Sequence, residues 1–437
     1  MSSVLKQPLA PGAVRGAAQQ VAQQPAQPFP PGFIPSRHGA AHQLARSLFG
    51  TLRLLVRGDP EPDAARWRAM GEGLMQGDAP ADRLVEWMFA ADMKVTRPLF
   101  ERALERGIAA VPDAPAPLRE FFELVERRPR WVDMALVEEG ALVNDRGGMD
   151  YFFVDRDLAL MGGYQASAFN TALLLTGALQ KGAGRRVAET VQWWLDCTAK
   201  GGMERFGAGF KSTVRVRMIH AMVRRHIGRM PEWRTAEWGL PINQVDMAAT
   251  ALAFPMVMLL GGRLMGVALT RRDSQAGMHL GRYAAWLMGV EDQWLPRDEL
   301  EGRTLLYQLS LSITNPDETS VQLGRALMDE PLQRPYARLR WLRQQYQYQR
   351  HLSVSRFFLG RAGMRNLGLP GYVLPWYPLL RAPPNLLFHL GLRLVPGGRE
   401  WQARRGRQAT IAFVRSMTGP EPVKIGQAAR HLTDAAA

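Results

Sequence analysis

The spacing of apolar residues restricts most strongly how this chain can fold. From about residue 62 onward, apolar residues recur every three or four positions, which places them along one side of an α-helix. No stretch alternates apolar and polar residues as a half-buried strand does, and no repeat of fixed period is present. Segments with the helical period begin at Asp82, Pro117, Met134, Val187, Asn243, Ser274 and Asp298. We therefore predict an all-α fold, a single large multi-helix bundle.

Composition divides the chain into three regions. Residues 1–35 are rich in Pro, Gln and Ala and cannot bury enough apolar area to fold, so we predict disorder there. Residues 36–366 form the predicted helical domain. This domain begins with a basic amphipathic stretch at 36–57, which either docks on the body, as we favour, or lies on a membrane surface. Residues 367–437 begin with prolines mixed with large apolar residues, which favour extended or turn geometry. We predict that this extension packs on the domain, with contact to a membrane interface as the alternative.

Cysteine content and charge exclude several classes of function. Cys197 is the single cysteine, so no disulfide can form within the chain and no zinc or iron–sulfur cluster is indicated. The net charge is +15, but the basic residues are scattered among acidic ones and form no block of the kind that binds phosphate chains. We therefore expect no nucleic-acid partner.

The sequence also bears on location. The first 30 residues contain no continuous apolar stretch of the kind found in secretion signals, so we expect a cytoplasmic protein, with peripheral membrane contact as an option. The longest apolar run covers residues 247–262, contains Pro255 and is followed by Arg263. It is a little short for a membrane span, and we interpret it as a buried core helix.

One histidine lies among arginines on an apolar helix-forming run. Arg217, His220 and Arg224 are spaced i, i+3, i+7, which brings them to one side of a helix. Such a histidine can be the axial ligand of a haem iron, with the arginines paired to the haem propionates. It can equally be a core histidine beside two solvated arginines. The residues alone leave both interpretations open.

Two further patches carry polar residues at helical spacing. Arg186, Glu189 and Thr190 lie at i, i+3, i+4 upstream of the histidine, and Asp246 and Thr250 lie at i, i+4 downstream. A helical bundle can bring such surfaces to one interior pocket, which is where bundles build cofactor sites.

The three patches together resemble a known family. The order R-x-x-E-T, then R-x-x-H-A-x-V-R, then P-I-N-Q-x-D-x-x-x-T is similar to that of the rubber oxygenase (latex clearing protein) and MpaB-type oxygenase superfamily, over roughly residues 150–320. The resemblance implies an all-α bundle that encloses a pocket for non-covalently bound haem b, an iron cofactor.

The resemblance also assigns roles to individual residues. His220 corresponds to the proximal haem ligand, and Arg217 and Arg224 correspond to flanking arginines near the haem. Arg186 and Thr190 correspond to pocket residues of the helix on the distal side, and with Glu189 they are the predicted catalytic residues.

Further positions lie in the implied pocket, and two of them depart from the family pattern. We place Asp246, Thr250 and Asn170 with the cofactor-binding residues. Glu189 stands where latex-cleaving members have a lysine, although Glu-Thr is similar to the MpaB branch. Asn170 falls where those members have a distal glutamate that serves as the base. Either Glu189 replaces that base, or the chemistry differs.

The resemblance implies a haem b-dependent oxygenase. It would use dioxygen on a hydrophobic isoprenoid, lipid or polyketide-chain substrate, by oxidative cleavage of a carbon–carbon double bond. Two alternatives remain at this point. The first is a haem-binding sensor or carrier without catalysis, and the second is a peripheral membrane interaction protein.

Overall fold

The computed structural model describes residues 29–177, 182–418 and 423. Within these ranges the chain is almost entirely helical and contains no strand, with one isolated bridge between Ala166 and Asn315. The predicted all-α fold is confirmed. Most of the segment predicted to be disordered, residues 1–28, lies outside the described residues, as do 419–422 and 424–437 of the predicted extension. Chain contacts separate Met1–Phe33 from the body, Ile34–Ala437.

The helices follow one another with short connections. In chain order they are α1 (His42–Leu48), α2 (Gly50–Leu54), α3 (Ala64–Gly73), α4 (Ala79–Ala90), α5 (Met93–Arg106), α6 (Ala116–Glu126), α7 (Met134–Val154), α8 (Met161–Gly163), α9 (Ser167–Leu175), α10 (Ala183–Cys197), α11 (Ala208–Ile227), α12 (Thr235–Trp238), α13 (Gln244–Leu252), α14 (Met258–Leu264), α15 (Arg271–Leu287), α16 (Glu299–Ile313), α17 (Glu318–Asp329), α18 (Arg340–Asn366), α19 (Trp376–Arg393) and α20 (Gly398–Thr418). Short 3₁₀ turns are present at Ile108–Ala110, Asp292–Trp294 and Glu330–Gln333, and π-helical segments at Asp155–Leu160 and Ala253–Val257.

Side-chain caps define where several helices begin. Asp133 accepts hydrogen bonds from the amides of Ala135 and Leu136 at the start of α7, and Asp298 caps α16 in the same way. Asn243 accepts from the amide of Asp246 at the start of α13. Each cap satisfies an amide that has no partner within its helix and typically contributes about 1 kcal/mol.

The centre of the body is α7, which packs against α15 on one side and α20 on another. Small residues permit the close approach. A Cβ on Gly140 would lie 2.4 Å from the carbonyl oxygen of Ala276, and one on Gly148 would lie 2.8 Å from Cα of Gly406. Gly148 also has a φ of +47°, a conformation that favours glycine. At these two glycines α7 therefore packs directly against the backbone of α15 and of α20.

The apolar run around residues 247–262 forms α13, the second π-helical segment and α14. By length and composition alone Gln244–Leu264 is the one described helical stretch that could cross a membrane, but most of it is buried inside the body. Pro255 lies in the π-helical segment, where its missing N–H is tolerated. The burial agrees with the predicted core helix.

The segment at 36–57 and the described part of the segment from 367 onward both pack against the other helices. Arg37 bonds to Asp246 at 2.7 Å, and Ala45 of α1 packs on Tyr307 and Leu311 of α16. At the other end, the expectation that prolines would keep the tail extended is wrong, because Pro383 and Pro384 lie inside α19. A proline φ is compatible with a helix, and Asn385 stabilises this helix by donating hydrogen bonds to Asp150 and to the carbonyl of Met265.

Candidate functional site

A large cavity lies inside the bundle. Its volume is about 740 Å³, which is within the usual range for sites of small molecules and cofactors. Residues of α7, α9, α10, α11, α13 and both π-helical segments line it. Most of the lining is apolar or aromatic, including Trp193, Trp194, Ile219, Val223 and Phe254. Such a cavity can hold a bulky, flat or elongated apolar molecule away from water.

His220 of α11 lies on the wall of this cavity. Its Nδ1 is buried and has no hydrogen-bond partner among the residues that the structure describes. Burial lowers the pKa of His220 to about 4, and the positive charge of Arg224 acts in the same direction, while Asp78 opposes them. The imidazole is therefore neutral at pH 7, which is the form that binds metals.

The two flanking arginines lie elsewhere. Arg217 points toward α4 and makes a bidentate pair with Asp78, with Nε–Oδ2 and Nη2–Oδ1 distances of 2.6 and 2.8 Å. Arg224 pairs with Asp82 at 2.9 Å and donates to the carbonyl of Ile242. Neither arginine lines the cavity. The structure thus differs from the expectation that both meet haem propionates, because the carboxylates of Asp78 and Asp82, at the beginning of α4, already accept from their guanidinium groups.

Arg186, Glu189 and Thr190 of α10 all line the cavity, together with His220. The Oε1 atom of Glu189 lies 3.7 Å from Nε of Arg185, which is more exposed. Arg186 has no carboxylate within 4.0 Å among the described residues. Its guanidinium is therefore available for an acidic group on a bound molecule.

Asp246 and Thr250 of α13 also line the cavity, but their hydrogen bonds are internal. Asp246 accepts from Arg37 and Asn243, both at 2.7 Å, and so ties the N-terminal segment to α13. The hydroxyl of Thr250 donates to the carbonyl of Asp246 at 2.8 Å. These contacts shape the cavity wall.

Asn170 does not reach the cavity. It is fully buried between α9 and α17, where its Nδ2 donates to the carbonyl of Tyr164 at 2.6 Å and to Oγ of Ser320 at 3.2 Å. Its neighbour Phe169 lines the cavity in its place. The assignment of Asn170 to the cofactor-binding residues is therefore not supported by its position.

Tyr151 and Asp155 are among the polar cavity residues that sequence reasoning did not find. Tyr151 near the end of α7 and Asp155 at the start of the first π-helical segment both line the cavity. Burial raises the pKa of the Asp155 carboxyl well above its usual range. Their i, i+4 spacing at the end of the apolar run Tyr-Phe-Phe-Val was the available signal.

The fold and the cavity define a class of protein, an all-α bundle with a neutral histidine on the wall of a large apolar pocket. Residues 152–395, more than half of the chain, match the family described as "ER-bound oxygenase mpaB/B'/Rubber oxygenase, catalytic domain". The chain belongs to this oxygenase family, as the three sequence patches predicted. The matched range includes Arg186, Glu189, Thr190 and His220.

Two relatives agree with this assignment. The rubber oxygenase of Streptomyces sp. (strain K30) is 27% identical over 186 residues, which cover 42% of this chain and 45% of that protein. The chain thus matches less than half the length of this relative. The solved structure of latex clearing protein LCP in the closed state superimposes with a TM-score of 0.55 and 21% identity, covering 78% of this chain and 91% of that one. This similarity shows the shared fold.

Proposed function

We propose that this protein is a haem b-dependent oxygenase that uses dioxygen on a hydrophobic isoprenoid, lipid or polyketide-chain substrate, by oxidative cleavage of a carbon–carbon double bond. One observation carries the proposal. A neutral imidazole, His220, lies on the wall of a 740 Å³ apolar cavity that also contains Arg186, Glu189 and Thr190. Membership of the oxygenase family supports the reaction class.

The residues of the cavity fit a haem. The part of the chain that the structure describes has no group of three or more His, Cys, Asp or Glu side chains that could hold a metal ion by themselves. A porphyrin supplies four nitrogen ligands of its own, so one histidine on an apolar cavity is sufficient. The fit extends to Arg186, which can pair with a propionate where Arg217 and Arg224 cannot.

Different residues of the cavity would have different roles in the reaction. Bound haem would supply an iron centre that activates dioxygen. His220 would hold the iron through its neutral ring, and the apolar lining would bind the substrate chain and exclude water. Glu189 brings a carboxylate to the same wall and is the proposed proton acceptor from an allylic carbon of the substrate.

A visible spectrum tests the proposal. Protein purified with added haem is expected to show a Soret band, and His220→Ala is expected to lose it. His226→Ala is the matched control, because His226 lies on the same helix but does not line the cavity. Wild-type protein that stays colourless with haem supplied would contradict the proposal.

Oxygen uptake separates catalysis from simple binding. The ion pair between Arg185 and Glu189 and the position of Asn170 outside the cavity favour a second candidate, a haem-binding sensor or carrier. A catalyst is expected to consume oxygen when given isoprenoid substrates, and Glu189→Gln is expected to slow this reaction while keeping the Soret band. A carrier consumes no oxygen above the background of free haem.

We propose separately that the protein is located beside a membrane, on the basis of the exposed surface of α19. Leu379, Leu380, Leu387 and Leu394 are exposed on or just after α19, and Arg381 and Arg393 lie among them. A cytoplasmic protein with this surface is expected to sediment with anionic phosphatidylserine vesicles at low salt and to be released by high salt. Absence of sedimentation, or sedimentation that salt does not change, counts against it.

A further inference from the structure

The cavity wall at the end of α7 carries two polar side chains that the proposed haem chemistry does not use. Tyr151 and Asp155 are one helical turn apart, and both line the cavity. The Oη atom of Tyr151 and the Oδ1 atom of Asp155 are shielded from solvent, and neither has a hydrogen-bond partner within the described ranges. A buried polar atom without a partner costs about 1–3 kcal/mol, so these two atoms need an explanation.

Two further polar side chains of the cavity wall have partners. Asn144 accepts from Trp194 at 2.8 Å, and Asp145 pairs with Arg407 at 3.4 Å. Asp155, by contrast, has no arginine, lysine or histidine within 4.0 Å among the residues described.

Arg156, the arginine nearest to Asp155 in the sequence, forms its ion pairs with other residues. Arg156 pairs with Asp157 and with Glu330, the latter at 3.3 Å. Burial without a cation raises the pKa of Asp155 well above its usual range, which favours the protonated carboxyl, the form that can donate a hydrogen bond. The wall therefore carries a phenol and a carboxyl group that has no cationic partner among the described residues.

The backbone places this pair. The π-helical segments Asp155–Leu160 and Ala253–Val257 pack against each other, and such segments are frequent at functional sites. The ring of Tyr151 lies on Gly262 of α14, where a Cβ would be 2.2 Å from its Cε1 atom. The absence of a side chain at this glycine thus sets the position of the phenol.

We propose that Tyr151 and Asp155 form a polar subsite that binds an uncharged oxygen, a carbonyl or a hydroxyl, on an otherwise apolar substrate. This inference rests on the proposed function for the identity of the cavity as a substrate site. A ligand oxygen would accept hydrogen bonds from the two donors and satisfy them. A pure hydrocarbon would leave both donors unpaired, and sites built for a polar group discriminate against ligands that lack it.

Two probes of equal shape test the subsite. 2-Nonanone and 2-methylnon-1-ene differ only in a carbonyl oxygen that replaces a methylene, and their binding to the purified full-length chain can be measured by headspace gas chromatography. Tyr151→Phe and Asp155→Leu are each expected to weaken binding of the ketone by about 3- to 12-fold, the value of one hydrogen bond. Both variants are expected to leave binding of the hydrocarbon unchanged or stronger.

The controls separate this subsite from a general loss of structure. Asp155→Asn keeps a donor and is expected to retain ketone binding. Tyr164→Phe changes a buried tyrosine that does not line the cavity, and it is expected to change neither probe. Unchanged hydrocarbon binding shows that each variant is folded with its cavity intact.

The outcomes also separate the two proposals. The subsite is overturned if the variants weaken both probes equally, if ketone binding does not change, or if the wild type binds neither probe. Ketone selectivity that persists in His220→Ala supports the subsite even where the haem proposal fails. A Soret band without ketone selectivity supports the haem proposal and rejects the subsite.

Discussion

The buried pair between Arg217 and Asp78 gives the most direct test of how the helix of His220 is positioned. Both side chains are buried, and Asp78 accepts two hydrogen bonds from the guanidinium at 2.6 and 2.8 Å. In Asp78→Ala, Arg217 keeps only a long contact of 3.4 Å to the carbonyl of Leu287 and the ring of Phe121, 5.3 Å away. The charge then stays buried without a counter-ion.

The expected cost follows from that burial. Removing one partner of a buried ion pair typically lowers the free energy of unfolding by 3–5 kcal/mol, because the remaining charge is left uncompensated. Asp82→Ala is the matched control, since the Asp82 side chain is 36% exposed and water can replace it beside Arg224. We expect a smaller loss of about 1–2 kcal/mol there.

Urea unfolding of the haem-free protein, followed by circular dichroism at 222 nm, measures both values without a contribution from cofactor binding. The double variant Asp78→Ala/Arg217→Met removes the orphaned charge and is expected to recover most of the loss of Asp78→Ala. Equal costs for Asp78→Ala and Asp82→Ala, or a double variant less stable than Asp78→Ala, would refute this account of Arg217.

Two further predictions concern pH and packing. Burial lowers the pKa of His389 to about 4, from 6.5 in the unfolded chain. Between pH 6.5 and pH 4 the unfolded state therefore binds more protons than the folded state. The free energy of unfolding consequently falls as the pH drops through this range. The loss is on the order of 3 kcal/mol, and the urea midpoint at pH 7 and pH 4.5 is expected to shift less in His389→Asn than in the wild type. Gly262→Ala is expected to cost about 1–3 kcal/mol in urea unfolding, because its methyl group collides with Tyr151, whereas Gly391→Ala, with open space around it, is expected to be neutral or stabilising.

Local patterns predicted the fold class well because they act within one helix. The period of apolar residues and caps such as Asn243 and Asp298 depend on residues three or four positions apart. The tail was mispredicted for the opposite reason. Pro383 and Pro384 disfavour a helix locally, but contacts of Asn385 with residues more than 100 positions away stabilise α19.

In the candidate site, too, features set within one helix were predicted and features set by distant contacts were not. Spacing on α10 predicted that Arg186, Glu189 and Thr190 share a surface, and the structure places all three on the cavity with His220. The partner of Arg217 lies 139 residues away in the sequence, so no local pattern could reveal it.

The position of Asn170 was obtained by counting back from His220. Counting residues fixes a position in the sequence but not the direction in which the side chain points, because successive side chains on an α-helix point about 100° apart. The structure accordingly shows Phe169, not Asn170, on the cavity.

The π-helical segment Asp155–Leu160 uses one residue more than a regular α-helix would need at this place. A π turn closes its hydrogen bond one residue later than an α turn, so the segment acts as a one-residue insertion. Deleting a single residue there would restore a regular α-helix and rotate everything that follows by about 100° relative to α7. A relative that lacks one residue of this segment would therefore turn different side chains toward the cavity from that point on.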